Sequence, residues 1–474
     1  MGGAGSSAGI AIGSLIKAGV GVFLVFMTVR VAACERPAGT LVAVEGFVET
    51  RAGKGTWRAV QMRHRICAGD QLAVRGPGRA AVVLDNDVLI RLDEHTTLTL
   101  PLTVKDADAG LVLPEGLIHV ISRFRKRFGV STPLVNAMVD GTEFIVAGDS
   151  GHARVAVAEG QVRVISPVEQ RRLAAGEAVD ALPGGAIGPS LPVKPLSDVR
   201  WAIHYPQVLR PAEEQLEGLP VQQRQAVDKS IKLATAGQFS SALEALDGIN
   251  SLVAFRASLL LGLGRVDQAQ ELLDTLNEDA AERSVRAVIQ VARNDESALH
   301  TAQSAVSADP RSAAAQLALS YAWQSKRQLT QSLAAAEQAT HLAPDQPIAW
   351  ARRAELELAL ARVEAGAESA RRALALAPDT PRAQAMAAFA RLLMGQVQAA
   401  VTEFEIALSM NGAEPLAHFG LGLAHVRQGD FVAGRREIEI AVLLDPSNAE
   451  LRSYLGRSYL AEKRDRLAGE QFDL

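Results

Sequence analysis

Cysteine is nearly missing from this chain: Cys34 and Cys67 are the two among 474 residues. Two cysteines without paired histidines beside them do not complete the four-ligand set of a structural zinc site. The nine histidines are scattered, and no His-Glu-x-x-His pair is present to hold a catalytic zinc. A glycine-rich phosphate loop closed by Lys-Ser or Lys-Thr is missing as well. Basic charge is not in excess: the net value is −4, whereas nucleic-acid binders usually carry a strongly basic stripe or domain. The expectation is a non-enzymatic chain with no cofactor, no metal and no nucleic-acid partner. Aromatic residues make up only 4%, while alanine and leucine crowd the second half. That bias fits helix-on-helix packing, where small residues let helices approach closely.

What is present begins with length: 474 residues exceed one ordinary core, so a multidomain chain is expected. A hydrophobic fraction of 48% argues against global disorder. Residues 1–34 have the order of an export segment. Small and polar residues lead to Lys17, an apolar run covers Ala18–Val29, and Arg30 precedes Val31-Ala32-Ala33-Cys34. The uncharged run between Lys17 and Arg30 is short against the ~20 residues of a membrane span. A signal peptide or lipoprotein signal is therefore preferred to an uncleaved anchor. Val31-Ala32-Ala33-Cys34 resembles a bacterial lipobox, in which Cys34 takes the lipid. The alternative is pairing of Cys34 with Cys67 in an oxidising periplasm. The two exclude each other, because a lipidated thiol cannot form a disulfide. The expected location is the periplasm or a periplasm-facing membrane, reached by a lipid or an N-terminal anchor where the chain is attached.

Residues 39–191 read as strands. Thr40–Arg51 is rich in β-branched and apolar residues and carries a glycine, Gly46, where a bend is expected. Ala80–Asp85 and Val88–Leu92 flank a tight turn, and Leu117–Ser122, Thr142–Val146, Ala153–Ala158 and Gln161–Ile165 are further candidates. Asp85-Asn86-Asp87 starts like a calcium loop but lacks its glycine and closing glutamate, so it reads as a turn. Gly148-Asp149-Ser150-Gly151 has the look of a chymotrypsin-like nucleophile loop. It has no His and Asp partners in recognisable contexts, and a hairpin turn is the better reading. Arg123, Arg125 and Arg127 alternate on one strand face, which suits a solvated sheet edge or an anionic surface.

In order along the chain come Gly46-Phe-Val, Trp57, Ala68-Gly69-Asp70, Gly78-Arg79-Ala80, Leu84–Leu92 and Thr96–Leu100. They continue with Ser131-Thr-Pro133, Val139-Asp-Gly-Thr-Glu-Phe144, Val155–Val162 and Ala175-Gly-Glu-Ala-Val179. This series resembles the FecR domain, and implies an all-β FecR-like unit in which Gly-Asp and Gly-Thr-Glu-Phe serve turns and strand packing. FecR-like regulators join a cytoplasmic helical segment to a periplasmic sensor and control a sigma factor. This chain departs from them: 17 residues precede the apolar run, too few for a packed cytoplasmic domain.

Leu182–Pro195 is dense in proline and glycine, which break regular structure. Residues 192–221 read as a linker or capping segment. Within it, Trp201, His204, Tyr205 and Pro206 suit either a docking piece between domains or a cover for the first helix. Beyond it, Pro310, Pro344, Pro378 and Pro446 fall on one 34-residue grid with Gly412 in the missing place. That is the period of tetratricopeptide repeats, a helix–turn–helix unit. Residues 222–474 are expected to form an all-α solenoid of this type, with about seven units, the last incomplete. The last unit leaves no room for a polar capping helix, so either the natural protein is longer or something else covers that end.

In that family, positions 5, 9 and 12 of each first helix face the concave side. On this frame they include Tyr321, Leu358, Phe389, Leu392, Phe419, Leu423 and Val426, an unusually apolar row. Two readings stay open: a groove for a partner segment, or tighter packing that hides these residues in the solenoid core. The expected function is a cell-envelope scaffold or adaptor that binds an unknown protein or peptide through the superhelix. The alternative is a periplasmic FecR-type sensor of a transport system.

Overall fold

The computed structural model describes residues 37–86, 88–101, 110–122, 128–139, 142–193, 201–207, 209–211, 213–274 and 279–473. The export segment with Cys34, the basic residues Arg123, Arg125 and Arg127, and Asp87 lie outside these residues.

From Pro37 to Pro192 the described residues form a 15-stranded, hydrogen-bonded sheet system. Its spine is the strand Pro37–Arg51, paired antiparallel with Gln71–Leu84 so that Thr40 faces Val83, Glu45 faces Arg79 and Thr50 faces Leu72. The register slips between Glu45 and Phe47. Gly46 sits there at φ 76°, and a Cβ on it would overlap the Pro77 carbonyl oxygen, so only glycine fits the bulge. The Gly69-Asp70 and Gly148-Asp149-Ser150-Gly151 motifs do close turns. Asp70 accepts the Cys67 amide at 3.0 Å, and Asp149 accepts the Gly151 and His152 amides at 2.6 and 2.9 Å in a hairpin.

Strand alternation explains how the sheet system is used. Ala80, Val82 and Leu84 point into its own core with Ile90, Leu92, Ile118, Val120, Phe144 and Val146. Their neighbours Ala81, Val83, Leu89 and Ile121 point the other way, onto Ala413, Ile440, Leu443 and Leu444 of the helical region. Both faces of these strands are covered, which is why they read as near-continuous apolar runs.

The helices come in antiparallel pairs. They are Val221–Thr235 with Phe239–Glu244, Val253–Gly262 with Val266–Asp274, Ala280–Ala292 with Ala298–Ala308, and Ala313–Ser325 with Leu329–Leu342. Then follow Pro347–Ala359 with Val363–Leu376, Pro381–Leu393 with Val397–Met410, Pro415–Arg427 with Phe431–Leu444, and Ala449–Ala461 with Asp465–Asp473. The described residues hold eight such pairs, the first with a short second helix. The grid prolines lie in the turns between pairs. Pro347, Pro381 and Pro415 open helices at the first turn, where the missing N–H costs nothing. Small residues set the spacing within and between pairs: a Cβ on Gly366 would meet Leu358 of its own pair at 2.6 Å, and one on Gly420 would overlap the Phe404 ring of the preceding pair. Residues 36–474 form one compact unit, in which the strand system contacts both the first and the last helix pairs.

Candidate partner-binding surface

The same alternation that turns Ala81 and Leu89 toward the helices turns three charged side chains there. Glu45 accepts Arg79 Nε at 2.8 Å, Arg79 Nη2 at 2.9 Å and Arg91 Nη2 at 3.3 Å. Both arginines are buried, and each also donates across the interface. Arg79 donates to the Trp201 and Gly262 carbonyls at 2.8 and 2.6 Å. Arg91 donates to the Leu444 carbonyl at 2.6 Å. Gly262 and Leu444 end the helices Val253–Gly262 and Phe431–Leu444. Terminal carbonyls lack intrahelical partners and carry negative partial charge, so a guanidinium there is favourable. Burial pushes the Glu45 carboxyl up, yet Arg79 and Arg91 outweigh it and hold Glu45 below its ordinary value.

Two more ion pairs close the interface. Arg265 meets Asp93 at 2.7 Å and Glu94 at 3.0 Å. Arg452 grips Glu143 with both terminal nitrogens, at 2.9 and 3.1 Å, while His119 Nε2 lies 3.0 Å from the same carboxylate. Burial raises Glu143, but Arg452 and then His119 bring it well below the usual carboxylate range. Beside them Gln471 donates to Glu159 at 2.9 Å, so the strand system packs on the final helix pair. Sequence reading placed Arg79, Arg91 and Glu143 in turn and packing motifs and did not single out Arg452. The available signal was charge inside a doubly buried run, as in Leu89-Ile90-Arg91-Leu92.

The segment between the two regions docks on both. Trp201 and Ala202 pack on Ile145, Ala156 and Ala178 of the strand system. Ile203, Tyr205 and Leu209 enter the helical core. Docking piece and helix cover are therefore one and the same segment. His204, Tyr205, Pro206 and Gln207 line a cleft with Tyr321, Ile348, Ala351, Arg382 and Glu414 of the array's inner side. Arg382 Nη2 lies 3.3 Å from His204 Nε2. A guanidinium can only donate, so Nε2 accepts and the imidazole is neutral with its proton on Nδ1. Burial pushes His204 well below its ordinary value, and Arg382, Arg79 and Arg91 push the same way. Arg382 also meets Glu355 and Glu414, each at 3.3 Å, and Arg352 stacks 3.9 Å over the Tyr321 ring.

Of the seven row residues, Tyr321 lines this cleft. Leu358, Leu392 and Phe419 are buried, and Phe389, Leu423 and Val426 are half-buried. Phe389 meets Phe404 edge-on at 4.9 Å and Phe419 at 6.0 Å, and Phe419 meets Tyr454 at 4.9 Å. The first of these contacts lies within a helix pair, and the other two run along the seams between successive pairs. A larger cavity of about 720 Å³ opens where Gly46, Phe47 and Met62 of the strand system approach Gly237 and the Ser409–Gly412 turn. Cys67 is disulfide-bonded. Among the described residues no cluster of His, Cys, Asp and Glu is placed to hold a metal ion, and no helix is long and apolar enough to cross a membrane.

Residues 70–163 match the family model described as FecR protein, and residues 385–435 and 423–474 match that of the tetratricopeptide repeat. Comparison with curated proteins gave no match. Among solved structures, one described as an anti-sigma factor from Parabacteroides distasonis aligns at 19% identity over 29% of this chain and 68% of its own, with a TM-score of 0.26. A thermophilic tetratricopeptide-repeat protein from Thermus thermophilus aligns at 21% identity over 33% of this chain and 87% of its own, with a TM-score of 0.31. The Cut9–Hcn1 hetero-tetramer aligns at 16% identity over 55% of each chain, with a TM-score of 0.45.

Proposed function

We propose that this chain, a FecR domain followed by tetratricopeptide repeats, is a cell-envelope adaptor that holds a protein partner on its helical array. The observation that carries this reading is the inner cleft of the array, which His204–Gln207 line together with Tyr321, Ala351 and Arg382. A cleft with polar and aromatic walls has the hydrogen-bonding groups and apolar surface that a peptide segment uses. Tyr321 marks the partner site, with the half-buried Phe389, Leu423 and Val426 as its apolar continuation. The FecR domain braces the array from both ends and so pre-organises the site, which lowers the ordering cost of binding. Export places the chain in the periplasm or on a periplasm-facing membrane, and the disulfide at Cys67 favours pairing over lipidation of Cys34.

Affinity capture of the full exported chain from membranes, compared with a Tyr321→Ala chain of equal thermal stability, tests this. A partner retained by the parent and lost from the variant supports the adaptor. Equal retention moves the partner site off this cleft. The FecR match favours a second reading, a sensor for a transport system, and a sigma factor among the captured proteins would select it.

A further inference from the structure

We infer that the open edge of the strand system, Arg51–Arg65, is a membrane-binding surface that takes the phosphate headgroups of an anionic phospholipid bilayer through Lys54, Arg58, Arg63 and Arg65, with Trp57 at the headgroup level. The inference rests on the envelope location proposed above, which puts a bilayer within reach.

In a chain of net charge −4, residues 51–65 hold Arg51, Lys54, Arg58, Arg63 and Arg65 and not one Asp or Glu. They run back along the open side of Pro37–Arg51. Arg58 pairs with Thr50 and Ala59 with Glu49, and farther on Arg65 pairs with Thr40 and Cys67 with Pro37. Alternation divides the side chains of this edge in two. Met62 lies against Gly412 of the helical array and Ile66 is buried. Gln61, Arg63 and Arg65 are exposed, as are Lys54 and Arg58. Two carboxylates border the patch, and each already has a cation: Glu49 meets Arg75 at 3.3 Å and Asp85 meets Arg65 at 3.7 Å. Lys54, Arg58 and Arg63 have no ion-pair partner among the described residues.

Charge alone would suit edge protection, because cations keep an open strand from pairing with another chain. Two further observations point to a bilayer. Aromatic surface accompanies the charge: the guanidinium groups of Arg51 and Arg75 lie over the Trp57 ring, 4.5 and 4.8 Å from its centre. Phe47, across from Arg75, is 53% exposed. Edge protection needs neither ring, whereas tryptophan flanked by arginine is the side-chain chemistry of the headgroup level. The second observation is covalent. Cys67 is disulfide-bonded in a chain whose other cysteine is Cys34, so the end of the export segment is tied to this edge. A Cys34 held in a disulfide carries no lipid, which leaves headgroup binding as the means of attachment. Guanidinium groups suit it, since they bind phosphate oxygens bidentately.

The test mixes the full exported chain with vesicles of phosphatidylcholine, alone or with an equal amount of phosphatidylglycerol, and reads binding by sedimentation. The parent is expected to prefer the phosphatidylglycerol vesicles and to lose that preference in high salt. The Lys54→Gln/Arg58→Gln/Arg63→Gln chain removes three exposed charges without breaking an ion pair, and its binding to those vesicles is expected to fall on the order of a hundredfold. Brominated lipid in the same vesicles is expected to quench part of the parent's tryptophan fluorescence, and that part is lost in Trp57→Phe. A folded triple variant that binds as the parent does overturns the inference, as does quenching that Trp57→Phe leaves unchanged. Binding of the parent to neither vesicle also overturns it and assigns the edge to strand protection or to an acidic protein. Cell fractionation that finds the chain away from membranes would remove the envelope location without altering the vesicle result, so the two readings fail separately.

Discussion

Replacing Arg452 by Met cuts the interface at its most deeply buried charge pair. Glu143 and Arg452 have side-chain exposures of 0% and 1%. The guanidinium also donates to the Pro446 carbonyl at 2.6 Å and to Gln471 at 3.0 Å. Without it the Glu143 carboxylate stays buried with its main counter-charge gone, a loss that typically costs about 3–5 kcal/mol. Glu143→Gln strands the cation instead, and the cost is of the same order. The Glu143→Gln/Arg452→Met pair removes both charges, so its cost is much smaller than the sum, with a coupling above about 2 kcal/mol. Urea melts of the four chains measure this. The acid limb adds a second readout. In the parent, Glu143 is held below its ordinary value of 4.5, so its stabilisation is complete above pH 4.5 and is lost as pH falls through the depressed value. In Arg452→Met, burial governs instead and raises the carboxyl, so protonation relieves the strain and the deficit shrinks as pH falls. Single variants that cost under about 1 kcal/mol, or costs that simply add, would refute the claim that this pair holds the final helix pair to the FecR domain.

Three further outcomes follow from individual contacts. His204 is neutral in the folded chain and has a depressed pKa, so the unfolded chain binds the extra proton below its ordinary 6.5; stability then falls as pH drops from about 6.5, and His204→Gln flattens that part of the profile. Cys67 is disulfide-bonded, so thiol reagents label it only after reduction; labelling without reduction would restore lipidation of Cys34. Phe419→Ser empties a buried aromatic seam between Phe389 and Tyr454, with an expected loss of about 3–5 kcal/mol in chemical melts; a loss below about 1 kcal/mol would return Phe419 to the exposed row.

Local rules carried the reading of this chain a long way and then stopped at a definite place. Pro344 and Pro378 mark repeat boundaries because a missing N–H acts on the residue's own helix, and Gly69-Asp70 marks a turn because Asp70 bonds only three residues back. Arg91 and Leu444 are 353 residues apart, and no periodicity carries that pairing. The frame of 34 residues located the inner face of each first helix but not what the next pair lays over it. Phe389 and Phe419 fall on that face and meet each other, and Phe389 also meets Phe404. Gly420 was the local clue, since a glycine facing Phe404 means an aromatic ring needs the space. That residues 204–207 would line a cleft with Tyr321 was not legible, because no periodicity links the two.

The closing contacts change what a repeat array can do. In an open array each pair touches only its neighbours, so its ends are coupled only through the pairs between them. Here Glu45 binds Arg79 and Arg91 at once, and those two cap helices near opposite ends of the array. Displacement of Arg79 leaves Glu45 with less compensation for its burial and removes a like charge from beside Arg91. The cleft residue His204 lies within the field of the same two arginines, and Trp201, three residues earlier, accepts directly from Arg79. The Arg79–Glu45–Arg91 bridge thus ties the segment that begins at Trp201 to helices near both ends of the array.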